Sequence, residues 1–271
     1  MNVFHAALLG FVQGTTEVLP ISSSAHLILI PRLLGWPESG LTFDVALHFG
    51  TFLALFVYFW REVAQLVRDG LTGFFKEDGT TLRLPWLLVA ASVPAAIVGK
   101  TLEKPIEEIF RSNPFWIVLF MILFGLILGL TDRYGRQHHN VEQVTLKAAL
   151  IIGSLQCLAL VPGVSRSGIT ITAALLVGLS RIEAARFSFL MSLPVVFGAA
   201  LLKGIHLFKT GVPVGEGMPM LIGVAVSAVV GYICVAFLLR FVQTKTLWSF
   251  VWYRVAVGGL FLAGLTAGWL H

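Results

Sequence analysis

Gln13-Gly14-Thr15-Thr16-Glu17-Val18-Leu19-Pro20-Ile21-Ser22-Ser23-Ser24-Ala25-His26 is a polar break between two apolar runs, and its reading decides the fold. Proline disfavours helical geometry in the residue before it, so Pro20 ends the first run as a helix. Serine hydroxyls satisfy the free amides of a helix start, so Ser22 to Ser24 open a second one. The whole segment, roughly 3–35, therefore reads as a re-entrant helix–loop–helix rather than a full span. Non-helical backbone at membrane depth is tolerated only inside protein or beside a wet cavity.

The surrounding composition makes membrane depth the relevant frame. Of the 271 residues, 57% are hydrophobic and 12% charged, against about 25% charged in soluble domains. The apolar residues fall in blocks at 43–60, 85–99, 114–130, 187–202, 218–239 and 247–270. Each approaches the roughly 20 residues that cross a bilayer core. Met1 to Val12 has no basic region and no cleavage site, so it does not read as a removable signal. Cys157 and Cys234 lie in apolar surroundings, which argues against a disulfide scaffold or CxxC metal spacing. The net charge of +5 comes from cations at segment ends, such as Arg61, Arg83, Arg133 and Arg240. They read as topology signals and headgroup contacts, not as a nucleic-acid surface.

A second break mirrors the first. Pro162-Gly163-Val164-Ser165-Arg166-Ser167-Gly168-Ile169-Thr170 interrupts the apolar segment 150–180. The polar run 131–147 divides the chain nearly in half, giving a single integral membrane domain over 1–271 with repeats at about 1–135 and 148–271. Gln13 then answers Gln156, Phe43 to His48 answers Phe187 to Ser192, and Pro85 answers Pro219, with an offset drifting from about 143 to about 134 residues. The expected fold is all-α: each half holds one re-entrant hairpin plus three transmembrane helices. Three spans per half is odd, so the second half must enter the membrane in the opposite sense, as an inverted repeat. Two such hairpins entering from opposite faces meet near the middle. Counting Lys and Arg by side places loops 61–84, 132–186 and 240–246 in the cytoplasm and both termini outside.

The chemistry-bearing residues sit in the breaks. Gln13 and Glu17 are four apart and share a helix face. A carboxylate in so apolar a hairpin is functional by default. His26 lies within the first turn after the serines and suits general acid–base work. Ser22 and its neighbours either cap the helix or, with the amides at the helix start, cradle phosphate. In the second break Gly163 and Gly168 allow tight turns. Ser165 and Ser167 flank Arg166, the residue type that binds phosphate oxygens bidentately, and Thr170 follows within a turn. Arg166 also suits an ion pair with Glu17, and the two roles can coexist. Asp44 and His48 share a face of their span and could face the site. His138 and His139 read as solvated, and Arg254 as snorkelling or paired.

Gln-x-x-x-Glu at 13–17, Pro-x-Ser-Ser-x-x-His at 20–26 and Pro-Gly-x-Ser-Arg-Ser-x-x-Thr at 162–170 make the sequence resemble the undecaprenyl-pyrophosphate phosphatase family of the bacitracin-resistance type. The resemblance extends over essentially the full chain. It implies hydrolysis of a C55 polyprenyl pyrophosphate to the monophosphate carrier of bacterial cell-wall synthesis. It also implies a divalent cation, Mg2+ or Ca2+, and a multi-pass protein of the bacterial inner membrane whose site faces the periplasm. Members carry Glu or Gln where Gln13 stands, which leaves Glu17 as the one carboxylate of that motif here.

On this reading Arg166, Ser165, Ser167 and Ser22 hold the pyrophosphate, with Thr170 and Gln13 as secondary ligands. Glu17 binds the cation or orients His26, and the nucleophile is either Ser23 activated by His26 or a water. Expected partners are the polyprenyl pyrophosphate and membrane lipids, not nucleic acid; a homodimer is compatible. The rival reading is a lipid-phosphate flippase or anion transporter using the same central site, because broken helices in inverted repeats are the usual transporter plan.

Overall fold

The computed structural model describes residues 2–36, 40–77, 82–111, 113–135, 138–210 and 215–267. Its described regular structure is helical. The first hairpin is α1 (Val3–Val18) and α2 (Ser23–Leu33). Asn2 starts α1 by accepting from the His5 amide at 2.8 Å. Leu19 ends it in extended geometry, as a residue before proline should. Between the hairpins run α3 (Leu41–Tyr58), α4 (Trp60–Leu71), α5 (Leu84–Arg111) and α6 (Pro114–Tyr134).

The second hairpin is α7 (Leu146–Gln156), a 3-10 turn at Cys157–Leu160 and α8 (Arg166–Leu176). Thr145 caps α7 by accepting from the Ala148 amide, and Val161 is extended before Pro162. Then come α9 (Arg181–Thr210), α10 (Gly217–Phe241) and α11 (Trp248–Thr266).

The chain is a multi-pass membrane protein. Helices α5, α6, α9, α10 and α11 each contain a stretch long and apolar enough to cross a bilayer, and α3 with α4 makes a sixth if the pair is one broken span. These match the six apolar blocks. One element departs from the expected loop at 61–84: α4 bends off α3 by 80°. Its composition explains why it is a helix: Val63, Leu66 and Val67 recur at helical spacing on one side, with Arg61, Glu62, Arg68 and Asp69 elsewhere, so it has one apolar face and one polar face. The polar run is also tied down. Asp132, buried at the end of α6, accepts from Arg181 Nε and from the Leu247 amide at 3.0 Å. His138 and His139 are exposed, as expected, but both their amides bond the Gly178 carbonyl.

Packing crosses between the halves. α1 lies against α10, and α7 lies against α5. Gly10 and Gly153, which correspond in the two hairpins, make these approaches possible. A Cβ on Gly10 would sit 2.5 Å from the Gly223 carbonyl oxygen, and one on Gly153 would sit 2.1 Å from that of Ala91. Each hairpin is thus pressed backbone to backbone against a long helix of the other half, which carries the two breaks to the middle of the structure.

Candidate active site

Both breaks have the same local build. After the proline, Ser22 (φ 76°) and Ser165 (φ 77°) take left-handed backbone geometry and precede α2 and α8. Such a conformation costs a non-glycine residue about 1–2 kcal/mol, so the surroundings must hold it. Ser165 Oγ caps α8 by accepting from the Gly168 amide at 3.1 Å. Ser22 caps nothing with its side chain. Its carbonyl instead accepts from the His26 amide at 3.3 Å and lies 2.7 Å from His26 Nδ1.

Arg254 holds the two breaks to each other. It lies wholly buried in α11, and its bonds run to main-chain carbonyls rather than to lipid headgroups. Nε donates to Met121 (2.6 Å), Nη1 to Pro20 (3.4 Å) and Nη2 to Gly163 (2.9 Å) and Val164 (3.1 Å). It neither snorkels nor needs a carboxylate, because carbonyl dipoles from both breaks and α6 satisfy the guanidinium. Its path is left open by Gly125 and Gly168, whose added Cβ would each come within 3.0 Å of it. Two further bonds join the breaks: the Gly163 amide donates to Ser24 Oγ at 3.3 Å, and Ser167 Oγ donates to the Leu19 carbonyl at 3.3 Å.

Glu17 is the centre of the resulting site, with only 6% of its side chain exposed. Arg166 Nη2 reaches Glu17 Oε1 at 2.7 Å across the two breaks. Ser23 Oγ donates to Glu17 Oε2 at 2.6 Å. Gln13 Nε2 lies 3.4 Å from the same oxygen and 2.7 Å from His48 Nδ1. Arg166 Nη1 also donates to the Ser188 carbonyl at 3.4 Å, and Thr170 Oγ1 lies 2.6 Å from Ser188 Oγ. A cavity of about 310 Å³ opens onto Glu17, Ser23, Arg166, Asp44 and His48. Its remaining wall includes Leu27, Ile28, Val195 and Val196, so its lining combines charged and apolar side chains.

The sequence-derived catalytic and binding residues are brought into one region, but of them only Glu17, Ser23 and Arg166 line the cavity. Gln13, Glu17, Ser23 and Arg166 form one bonded group. Thr170 braces the start of α9's approach, while Ser22, Ser165 and Ser167 shape and join the breaks. His26 is turned elsewhere. It lies four residues after Ser22 in α2, so its ring folds back on that carbonyl, and Nε2 lies 2.9 Å from the Tyr253 hydroxyl. Ser23 is bonded to Glu17 instead. Tyr253 and Ser188 had no signal in the sequence; Arg254 did, since a cation in an apolar span demands partners.

The donor set bears on how a divalent cation would be held. Among the described residues no group of three or more His, Cys, Asp or Glu could hold a metal ion, so there is no all-protein cage. Gln13 Oε1 is buried and without a hydrogen-bond partner, while its Nε2 is the atom toward Glu17. The Glu17 carboxylate fits an ion that draws its other ligands from phosphate and water.

The family model described as Bacitracin resistance protein BacA matches residues 6–260. A protein of Trichlorobacter lovleyi named undecaprenyl-diphosphatase is 70% identical over the full length of both chains. One of the same name from Pelobacter propionicus is 59% identical over 99% of each. One from Moorella thermoacetica is 48% identical over 97% of this chain and 98% of its own.

Proposed function

We propose, because this chain belongs to the bacitracin resistance protein BacA family, that it hydrolyses undecaprenyl pyrophosphate to undecaprenyl phosphate and inorganic phosphate. The activity recycles the lipid carrier of peptidoglycan synthesis and confers bacitracin resistance. The observation that carries this reading is Ser23 Oγ at 2.6 Å from Glu17 Oε2, with Arg166 on the other carboxylate oxygen, in one cavity. A hydroxyl bonded to a carboxylate and facing a guanidinium suits phosphoanhydride cleavage, which depends on positioning and charge neutralisation.

In the proposed sequence Arg166 binds the terminal phosphate oxygens. Ser23 Oγ attacks the terminal phosphorus and passes its proton to Glu17. The new Oγ–P bond forms as the bridging P–O bond breaks, and undecaprenyl phosphate leaves with the bridging oxygen. Glu17 gives that proton to the leaving oxygen; water then attacks the phosphoserine, Glu17 takes a proton from the water and returns it to Ser23 Oγ as inorganic phosphate departs. Glu17 would hold the divalent cation, whose chemistry is to neutralise phosphate charge. His26 serves by fixing the Ser22 turn through Nδ1. The polyprenyl tail follows the apolar lining of the cavity, past Leu27, Val195 and Val196.

The inverted repeat belongs to this reading as well. Glu17 and Leu160, Ser23 and Arg166, and His48 and Ser192 are pairs about 143 residues apart, and all six line the cavity. The breaks share their serine geometry, and the α1–α10 packing is answered by α7–α5. These features support a site on the axis between two inverted halves; its opening to the periplasmic side of the inner membrane is what the family resemblance implies.

The test is to quench purified protein in detergent during turnover of γ-like 32P-labelled polyprenyl pyrophosphate, with the label in the terminal phosphate. Label on Ser23 is expected, and Arg166→Ala should lower phosphate release about 10^3-fold or more. Label absent from Ser23 during full turnover points to direct attack by water. Normal turnover in a folded Arg166→Ala protein contradicts the assignment of that residue. Phosphate release without a gradient separates hydrolysis from the transporter reading.

A further inference from the structure

His48 is the ring in the cavity that this mechanism leaves unused, and its Nδ1 edge faces buried neighbours. Gln13 Nε2 lies 3.4 Å from the Glu17 carboxylate and 2.7 Å from His48 Nδ1, and Nδ1 itself lies 3.4 Å from Glu17 Oε2. With the Gln13 nitrogen toward both groups its oxygen is kept off the carboxylate. In that arrangement Nδ1 of His48 accepts from Gln13, and Nε2 is the nitrogen left to donate. The ring lines the cavity with 34% of the side chain exposed, whereas Glu17 behind it is 6% exposed. The Nδ1 edge is turned to the buried pair, which leaves the Nε2–H edge for the cavity.

We infer that His48 is a substrate-binding residue that donates a hydrogen bond from Nε2 to a phosphate oxygen of the diphosphate, opposite Arg166, with Gln13 holding the ring in the donating tautomer. The groups that face it are Gln13 and Glu17 from α1, Asp44 from its own helix, and Ser23 and Arg166 from the two breaks.

The inference rests on the proposed diphosphate substrate, and a binding measurement keeps the two separable. The probe is a farnesyl ester of methylenediphosphonate, which resists cleavage, titrated into the full-length protein in detergent. His48→Ala should weaken binding about tenfold or more, the usual worth of a hydrogen bond to a charged group. Glutamine places an amide nitrogen near the Nε2 position and asparagine near Nδ1. His48→Gln should therefore recover to within about threefold of wild type, while His48→Asn should stay as weak as alanine. In phosphate release, KM should follow the same order.

Alanine binding as well as wild type, or glutamine binding as weakly as alanine in a protein of normal thermal stability, would overturn the inference. Wild type that binds the probe in a His48-dependent way but releases no phosphate would contradict the proposed hydrolysis alone. Wild type that does not bind the probe would contradict both.

Discussion

The buried guanidinium of Arg254 does more for the site than its distance from the chemistry suggests. It spends its donors on carbonyls from both breaks, and so fixes Ser23 relative to Arg166. Lysine keeps the charge but offers one ammonium in place of a planar fork. Arg254→Lys is expected to lower stability by about 1–3 kcal/mol, the cost of leaving buried carbonyls unpaired. It should also cut turnover more than tenfold, with thermal unfolding and phosphate release as the measurements. A variant with wild-type stability and turnover would show that the breaks hold themselves.

Glu17 and Arg166 were legible in the sequence because a charge within an apolar hairpin needs a reason. The partner of Ser23 was not. Which way the His26 ring turns depends on the approach of Tyr253, a residue 227 positions away, and no local pattern encodes that contact.

At the scale of elements, the prolines and the apolar blocks set most of the helix boundaries, and these could be read directly. Pro20 and Pro162 stop α1 and the Cys157–Leu160 turn, and each long block became a helix. α4 was missed as a separate helix because its charges resemble a loop until the apolar residues are placed at helical spacing. The close helix approaches could not be read either, since a glycine in an apolar run has no signature of what lies opposite. They give a sharp contrast. Gly153→Ala would push a methyl group within 2.1 Å of the Ala91 carbonyl oxygen, whereas a Cβ on Gly259 meets nothing within 4 Å. The first should cost about 1–3 kcal/mol by overpacking and reduce turnover by moving the second hairpin; the second should change neither. Unfolding and activity measured on both proteins decide the point. Equal behaviour of the two variants would mean that α7 does not depend on its contact with α5.

For the whole molecule, the sequence predicted two related halves, but not that each hairpin would pack on the other half. That interleaving explains how residues about 150 positions apart come within 2.7 Å: α1 is carried inward by α10, and α7 by α5. The cavity then combines a carboxylate and hydroxyl from one break with a guanidinium from the other, and neither break holds the full set. A double-substitution cycle on Glu17→Gln and Arg166→Gln, read as kcat/KM for phosphate release in detergent, tests this dependence most directly. If the two breaks form one catalytic unit, each single substitution should remove most of the activity, and the double variant should fall no further than the worse single. Losses that multiply in the double variant would contradict the account, because they would mean that the two breaks act independently.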